Sequence, residues 1–409
     1  MRYDAIVVGA GPAGSTTARE CASRGLSVLM LDKAEFPRDK PCGGGVTIRA
    51  AELLPFDVRP VVERVVSSVY FTAGRSNGFI RRTTRELSYL TQRRRLDAFL
   101  VEQALEAGVV LRQRAPIQEV ETHHSHVVVR TADETFEART LVAADGANGQ
   151  TARMAGVDVA LVHGIALEGN VTPPEGFPQE WEDMMGLNLG GIPGGYGWIF
   201  PKRDHLNIGL GGWKHVGPSL RARLDELVRL YGFDLGGLWG LRGHHLPLRS
   251  STTPLVSGNL LLVGDAAGLV DPLTGEGIHA AIRSGRAAAH HMAEYVGGHA
   301  SNLDGYQREL EIDLIADLRV SRQLHDLFHL SPWLYLSAER WTSILWEFMC
   351  RIFRGEQTYA EVMLKHPTMA TLVELASDLV RVTPFLQGIA GLKDPAPPQR
   401  FFLGGAQHN

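Results

Sequence analysis

Tyr3 to Asp32 narrows the possible folds more than any other stretch of the chain. It reads YDAIVVGAGPAGSTTARECASRGLSVLMLD: an apolar run, glycines spaced G-x-G-x-x-G, a helix-like stretch, a second apolar run and an acid. Ala5 to Val8 is too short for a buried helix and suits a buried parallel strand. Gly9, Gly11 and Gly14 then stand where a strand passes into a helix. The first permits the tight turn, the second lets backbone approach a pyrophosphate, and the third brings helix and sheet together. Pro12 and Ala13 complete this loop, and the helix N-terminus behind it offers free N–H groups to an anion. Asp32, 18 positions after Gly14 and followed by Lys33, ends the second strand, where its carboxylate can accept ribose hydroxyls. Strand, turn, helix, strand and acid together predict a dinucleotide site.

The length of 409 residues implies about two domains and an extension. A net charge of −4 with no basic arm argues against nucleic acid. Three cysteines without C-x-x-C spacing, Cys21, Cys42 and Cys350, indicate neither a disulfide framework nor a metal site, and a cytoplasmic setting fits. His123 and His124 read as a solvated turn. The first strand begins too early to leave room for a signal peptide, and the uncharged run Met184 to Pro201 is too rich in glycine to span lipid.

Further along, prolines and Gly43 to Gly45 oppose regular structure until a short helix from about Thr47. A helix is predicted over Arg93 to Gly108 and another over Ser219 to Leu230, with strands at Leu161 to Val171, Leu206 to Gly212 and Asn259 to Val263. The nucleotide domain is therefore discontinuous. Its expected parts are residues 1–64, 91–155 and 258–298, with a substrate domain at 65–90 and 156–257, a helical region at 299–393 and a flexible tail at 394–409. In the helical region Trp341, Ile344, Leu345, Phe348, Met349 and Ile352 make an apolar stripe. Core packing is its ordinary meaning; a membrane-facing or substrate-facing surface is the alternative.

Three segments share one form, a buried strand followed by a turn: the Gly9 to Gly14 loop, Asp145-Gly146 and Gly264-Asp265. With these the chain resembles FAD-dependent enzymes of the para-hydroxybenzoate hydroxylase type of fold. The resemblance implies an α/β architecture: a Rossmann-like FAD domain with a parallel sheet, an inserted antiparallel-sheet substrate domain and a helical C-terminal extension. It also implies that Asp265 binds the ribityl chain, that Arg93 contacts FAD phosphates or ribose, and that Gly275, Gly277 and Ile278 present N–H groups to the flavin's pyrimidine edge.

Closer motifs narrow the class. Lys40 to Gly44 reads KPCGG, Pro193 to Gly209 fits P-x-x-Y-x-W-x-F-P-x₇-G, and VGDAAGLVDPLTGEGI follows. Together, over about Tyr3 to Val296, they are similar to the geranylgeranyl reductase family, which saturates isolated double bonds in prenyl chains. Asp32 replaces the commoner Glu, and Gly149 stands where Ser often follows the Asp-Gly turn. The resemblance implies that Tyr196, Trp198, Phe200 and Pro201 line a substrate cavity and that Cys42, beside Gly43, lies near the flavin, where it helps deliver a proton or shapes the flavin face. It leaves open the prenyl substrate (lipid or diphosphate), the electron donor (NAD(P)H or reduced ferredoxin) and peripheral contact with a membrane's inner face.

The residue chemistry points the same way. An isolated alkene has no carbonyl to polarise it, so a proton must arrive before or with hydride, placing positive charge on a tertiary carbon. Tyr196, Trp198 and Phe200 alternate along a strand and so share one face, where aromatic rings exclude water and stabilise cations. The rivals are an aromatic hydroxylase of the same fold, a halogenase, whose Trp-x-Trp-x-Ile-Pro signature is missing, and a non-catalytic FAD-binding sensor.

Overall fold

The computed structural model describes residues 2–74, 78–173, 179–250 and 252–392. The tail expected at 394–409 lies outside the described residues.

The first sheet is built on Arg2–Val8, whose last four residues are buried, as a strand covered on both faces requires. It pairs in parallel with Val28–Leu31 on one side and Thr135–Ala143 on the other. Val110–Arg112 and Leu260–Leu262 extend the parallel order outward. The strand near residue 260 thus returns to the N-terminal sheet after the intervening chain has formed another. Helices Pro12–Ser23 and Ile278–Val296 pack so closely that a Cβ on Gly285 would lie 2.8 Å from the Ala13 carbonyl oxygen.

The second sheet has seven strands, ordered Leu238–Arg249, Leu161–Val171, Leu206–Trp213, Tyr196–Pro201, Met184–Leu189, Ser68–Ala73 and Phe79–Arg82. It is antiparallel except where Met184–Leu189 runs parallel to Ser68–Ala73. A three-stranded sheet of Gly45–Thr47, Ser88–Leu90 and Arg64–Val66 lies apart from both. Gly45–Thr47 corrects the reading of that segment as irregular: once Gly44 has turned at φ +67°, the next three residues can pair with Ser88–Leu90.

The C-terminal region is helical, and the apolar stripe there is corrected too. Trp341 ends helix Pro332–Trp341, and a new helix, Ile344–Phe353, begins after Thr342 turns extended at ψ 154°. Trp341 and Ile344 are exposed at 81% and 72%, whereas Leu345, Phe348, Met349 and Ile352 face a cavity. Among the described residues no helix is long and apolar enough to cross a membrane.

Candidate active site

A cavity of about 750 Å³ runs between the ends of the parallel strands, the Tyr196–Pro201 side of the second sheet and the C-terminal helices. At one end three neighbouring parallel strands deliver Gly11, Pro12 and Ala13, then Ala144 and Gly146, then Asp265. This is the carboxyl edge of an open parallel sheet, where ligands of such folds sit.

The glycine loop divides its roles by geometry. At Gly9, with φ +103°, a Cβ would lie 2.3 Å from the Ala144 carbonyl oxygen; at Gly14 it would lie 1.8 Å from that of Gly9. At Gly11 it would meet nothing nearer than the Arg38 guanidinium at 3.5 Å, so the loop is open on that side. Gly11 is also the N-cap of Pro12–Ser23, with no side-chain cap and no acid in the first turn. Those first-turn donors have no intrahelical partner and suit a pyrophosphate. Asp32 accepts the Ala10 N–H at 2.7 Å on one carboxylate oxygen and the Ala34 N–H at 2.8 Å on the other. An ionised carboxylate retains lone pairs after two such bonds. The donor set fits a dinucleotide such as FAD.

Of the residues expected at the site, Gly11, Pro12, Ala13, Cys42, Gly43, Arg93, Gly146, Asp265, Gly275, Gly277, Ile278, Tyr196, Trp198 and Phe200 line this one cavity. Gly9, Gly14, Asp32, Lys33, Asp145, Gly264 and Pro201 do not. Asp145 accepts the N–H groups of Gln150 and Thr151, at 2.7 and 2.9 Å, and the Thr151 hydroxyl, fixing the turn rather than facing the space. Arg93 reaches the cavity with its guanidinium already paired to Asp97, at 2.7 and 2.8 Å.

The two motifs interlock. Trp198 lies opposite Gly209, where a Cβ would come within 2.2 Å of the indole; the glycine is needed because the ring lies across it. The indole N–H donates to Asn207 Oδ1 at 2.8 Å. Phe200 covers Gly43, whose Cβ would sit 2.7 Å from the phenyl ring. The Tyr196 hydroxyl donates to the Thr274 carbonyl, joining the aromatic strand to the turn before Gly275. Burial raises the Tyr196 phenol well above its ordinary range, so it keeps its proton. Glu276, in the same turn, accepts from Thr47 and from Arg49, each at 2.6 Å.

Four polar residues here escaped the sequence reading. Lys202 donates to the Gly43 and Thr91 carbonyls at 2.6 and 3.0 Å, and burial lowers its ammonium to about 8 against the pull of Cys42, Glu63 and Glu168. Glu168 accepts the Cys42 N–H at 2.8 Å, and burial raises its carboxyl despite that bond and Lys202. Lys40 pairs with Asp265 at 3.3 Å; burial opposes ionisation of Asp265, but Lys40, His244 and Arg93 together hold its carboxyl below the usual range. His244, pushed down to about 4 by burial and by Lys40, is neutral at pH 7. Lys40 and Lys202 carried a sequence signal, the first by opening the KPCGG motif and the second by following the Pro of the aromatic motif.

Beyond the aromatic strand the cavity is apolar, walled by Met185, Leu187, Phe328, Tyr335, Phe348 and Met349 among others. Comparisons with known proteins agree with this arrangement. The family described as FAD binding domain matches residues 2–189 and 243–311. The chain is 31% identical over 316 residues to a menaquinone reductase of Mycolicibacterium smegmatis, covering 71% of this chain and 76% of that one. It is 30% identical over 354 residues to digeranylgeranylglycerophospholipid reductase 1 of Methanopyrus kandleri, covering 80% and 91%. In fold it is similar to a geranylgeranyl bacteriochlorophyll reductase-like protein from Thermoplasma acidophilum, with TM-score 0.69, 24% identity and coverage of 95% and 98%. With a dinucleotide cradle and an aromatic strand on one cavity, and with relatives aligned over most of its length, the chain belongs to the FAD-dependent geranylgeranyl reductase family.

Proposed function

We propose that the protein saturates isolated carbon–carbon double bonds of a prenyl chain. The observation that carries this reading is the continuity of one cavity, from the open face of Gly11 past Cys42 and the Tyr196, Trp198, Phe200 wall to the apolar helices. FAD, bound and reduced, supplies the hydride; a proton completes the addition, and NAD(P)H or reduced ferredoxin restores the electrons.

The remaining work falls to the chain. The glycine loop and helix Pro12–Ser23 hold the pyrophosphate, with Asp32 and Asp265 as acceptors for hydroxyl groups and Arg93 beside them. Gly277 and Ile278 offer backbone donors to the flavin, whereas the Gly275 N–H is already given to the Asp271 carbonyl at 2.8 Å and shapes the turn. The aromatic wall keeps water from the carbon that turns cationic and faces it with π-electron density. Cys42 donates or positions the proton, with its backbone fixed by Glu168 and the next peptide by Lys202.

A membrane lipid suits the surroundings of this cavity. Leu334 lines it and is 62% exposed, and the exposed Trp333, Trp341 and Ile344 lie on the same two helices. Contact with a bilayer through this face would let a prenyl chain enter without crossing water, and liposome co-sedimentation weakened by Trp341→Ser with Ile344→Ser would support it. Unchanged co-sedimentation would remove it. The reading as a whole is tested by mass spectrometry of prenyl lipids from cells with and without the protein. Loss of the protein should leave species lighter by two hydrogens per unreduced bond, and identical lipid profiles would contradict it.

A further inference from the structure

A second, smaller pocket of about 40 Å³ adjoins the cavity and shares Leu248, Val270 and Pro272 with it. Four arginines line it: Arg249 at the end of strand Leu238–Arg249, Arg319 and Arg322 on helix Leu314–Leu330, and Arg381 on helix Pro367–Val382. Nothing in the proposed reduction uses them.

Their partners do not balance their charge. Glu311 pairs with Arg319 at 3.2 Å, and a single carboxylate, Asp326, is shared by Arg322 at 3.0 Å and Arg381 at 2.8 Å. Arg249 Nη1 is buried and has no hydrogen-bond partner among the described residues. Four guanidinium groups thus meet two carboxylates. Burial lowers Arg249 to about 10, more than the attraction of Glu311 restores; burial also lowers Arg322, next to Arg381. Buried charge without a partner is destabilising, so such a cluster calls for an anion.

The chemistry and size select the anion. A guanidinium presents a planar fork that matches the oxygens of phosphate. At about 10–15 Å³ for each water-sized atom, the pocket holds about three, the terminal oxygens of one phosphoryl group. Arg322 also lies over the Trp213 ring, 4.7 Å from its centroid, and Trp213 is itself a wall of the large cavity. The anion pocket therefore stands directly behind one end of that cavity.

We propose that Arg249, Arg319, Arg322 and Arg381 form a binding site for a phosphate group. Its source is either the head group of a prenyl phosphate substrate, an extension that rests on the prenyl reading, or a separate phosphate compound.

The test is thermal unfolding of the FAD-loaded protein in rising inorganic phosphate, with ionic strength held constant by sodium chloride. The melting temperature of the wild type should rise saturably. Arg249→Met should need about tenfold more phosphate or beyond, the loss expected of one charge-assisted bond. Without phosphate the variant should melt close to wild type, because burial of the charge removed outweighs its attraction to Glu311 and its Nη1 has no hydrogen-bond partner among the described residues. Should Arg249→Met not fold, Arg319→Met gives the same comparison. No saturable rise in the wild type, or the same rise in the variant, would overturn the site. The source is read from KM with geranylgeranyl diphosphate and with geranylgeraniol. A rise confined to the diphosphate in Arg249→Met places the substrate's head group in the pocket, and equal values assign the pocket to a separate phosphate compound. Absence of turnover with either would contradict the prenyl reading and leave the phosphate melting result intact.

Discussion

The Lys202 ammonium stands 2.6 Å from the carbonyl oxygen of Gly43, tying the aromatic strand to the Cys42 turn from a position only 2% exposed. Lowering a lysine from 10.5 to about 8 corresponds to a penalty of about 3 kcal/mol on the charged form. Two bonds from a charged donor return about 1.5–3 kcal/mol each, so they offset that penalty with up to about 3 kcal/mol to spare. Lys202→Met should melt no higher than wild type and turn over more slowly. Wild-type turnover should also fall as pH rises through about 8, a limb that Lys202→Met lacks. An unchanged pH profile in the variant would contradict this role.

Cys42 and Glu168 can be separated by substitution. Cys42→Ser should keep FAD and lose about 10²–10⁴-fold in turnover, the range for one acid–base group. Glu168→Gln preserves an acceptor for the Cys42 N–H and should stay within a few-fold of wild type. Rapid-quench measurement of single turnovers distinguishes them. A collapse in Glu168→Gln with an active Cys42→Ser would transfer the proton to the carboxyl group.

Gly209→Ala probes the aromatic wall. The new methyl group would lie 2.2 Å from the Trp198 indole, so the ring must move. Overpacking of this kind costs about 1–3 kcal/mol. The variant should retain FAD, unfold at lower urea and show a raised KM for a prenyl substrate. A wild-type KM would mean that Trp198 does not face the chain.

Acid should weaken the fold through buried histidines, while Asp317, raised to about 6, and Glu339, raised to about 7, both by burial, oppose the loss. His244 is pushed down to about 4 and His279 to about 3, in both cases by burial first. Their folded values lie below an unfolded value near 6.5, so the unfolded state binds more protons as pH falls. Stability from these groups is present above about 6.5 and is lost progressively toward pH 4 and 3. Urea midpoints measured from pH 7 to pH 4.5 should fall, and less so in His279→Asn. An equal pH dependence in wild type and His279→Asn would contradict the neutral burial of His279.

Much of this was legible because its signals are local. Gly9, Gly11 and Gly14 announce a turn whose three constraints lie within six residues, and Tyr196, Trp198 and Phe200 share a face by the alternation of a strand. Strand Leu238–Arg249 was missed because glycines, a proline and adjacent histidines hide its pattern; it is held by pairing with Leu161–Val171. Glu168, 126 residues from Cys42, and Lys40, 225 residues from Asp265, meet their partners only through the tertiary fold. The stripe at Trp341 to Ile352 has helical spacing but spans two helices, because periodicity does not register the break at Thr342.

The central claim is tested most directly by mixing pre-reduced, FAD-loaded protein with a polyprenyl substrate under argon and following flavin absorbance and product mass through one turnover. Reduction of an alkene needs no oxygen, so the flavin should reoxidise in step with the appearance of a product heavier by two hydrogens per bond. A flavin that stays reduced until oxygen is admitted, followed by a product carrying one added oxygen atom, would contradict the account and assign the protein to hydroxylation.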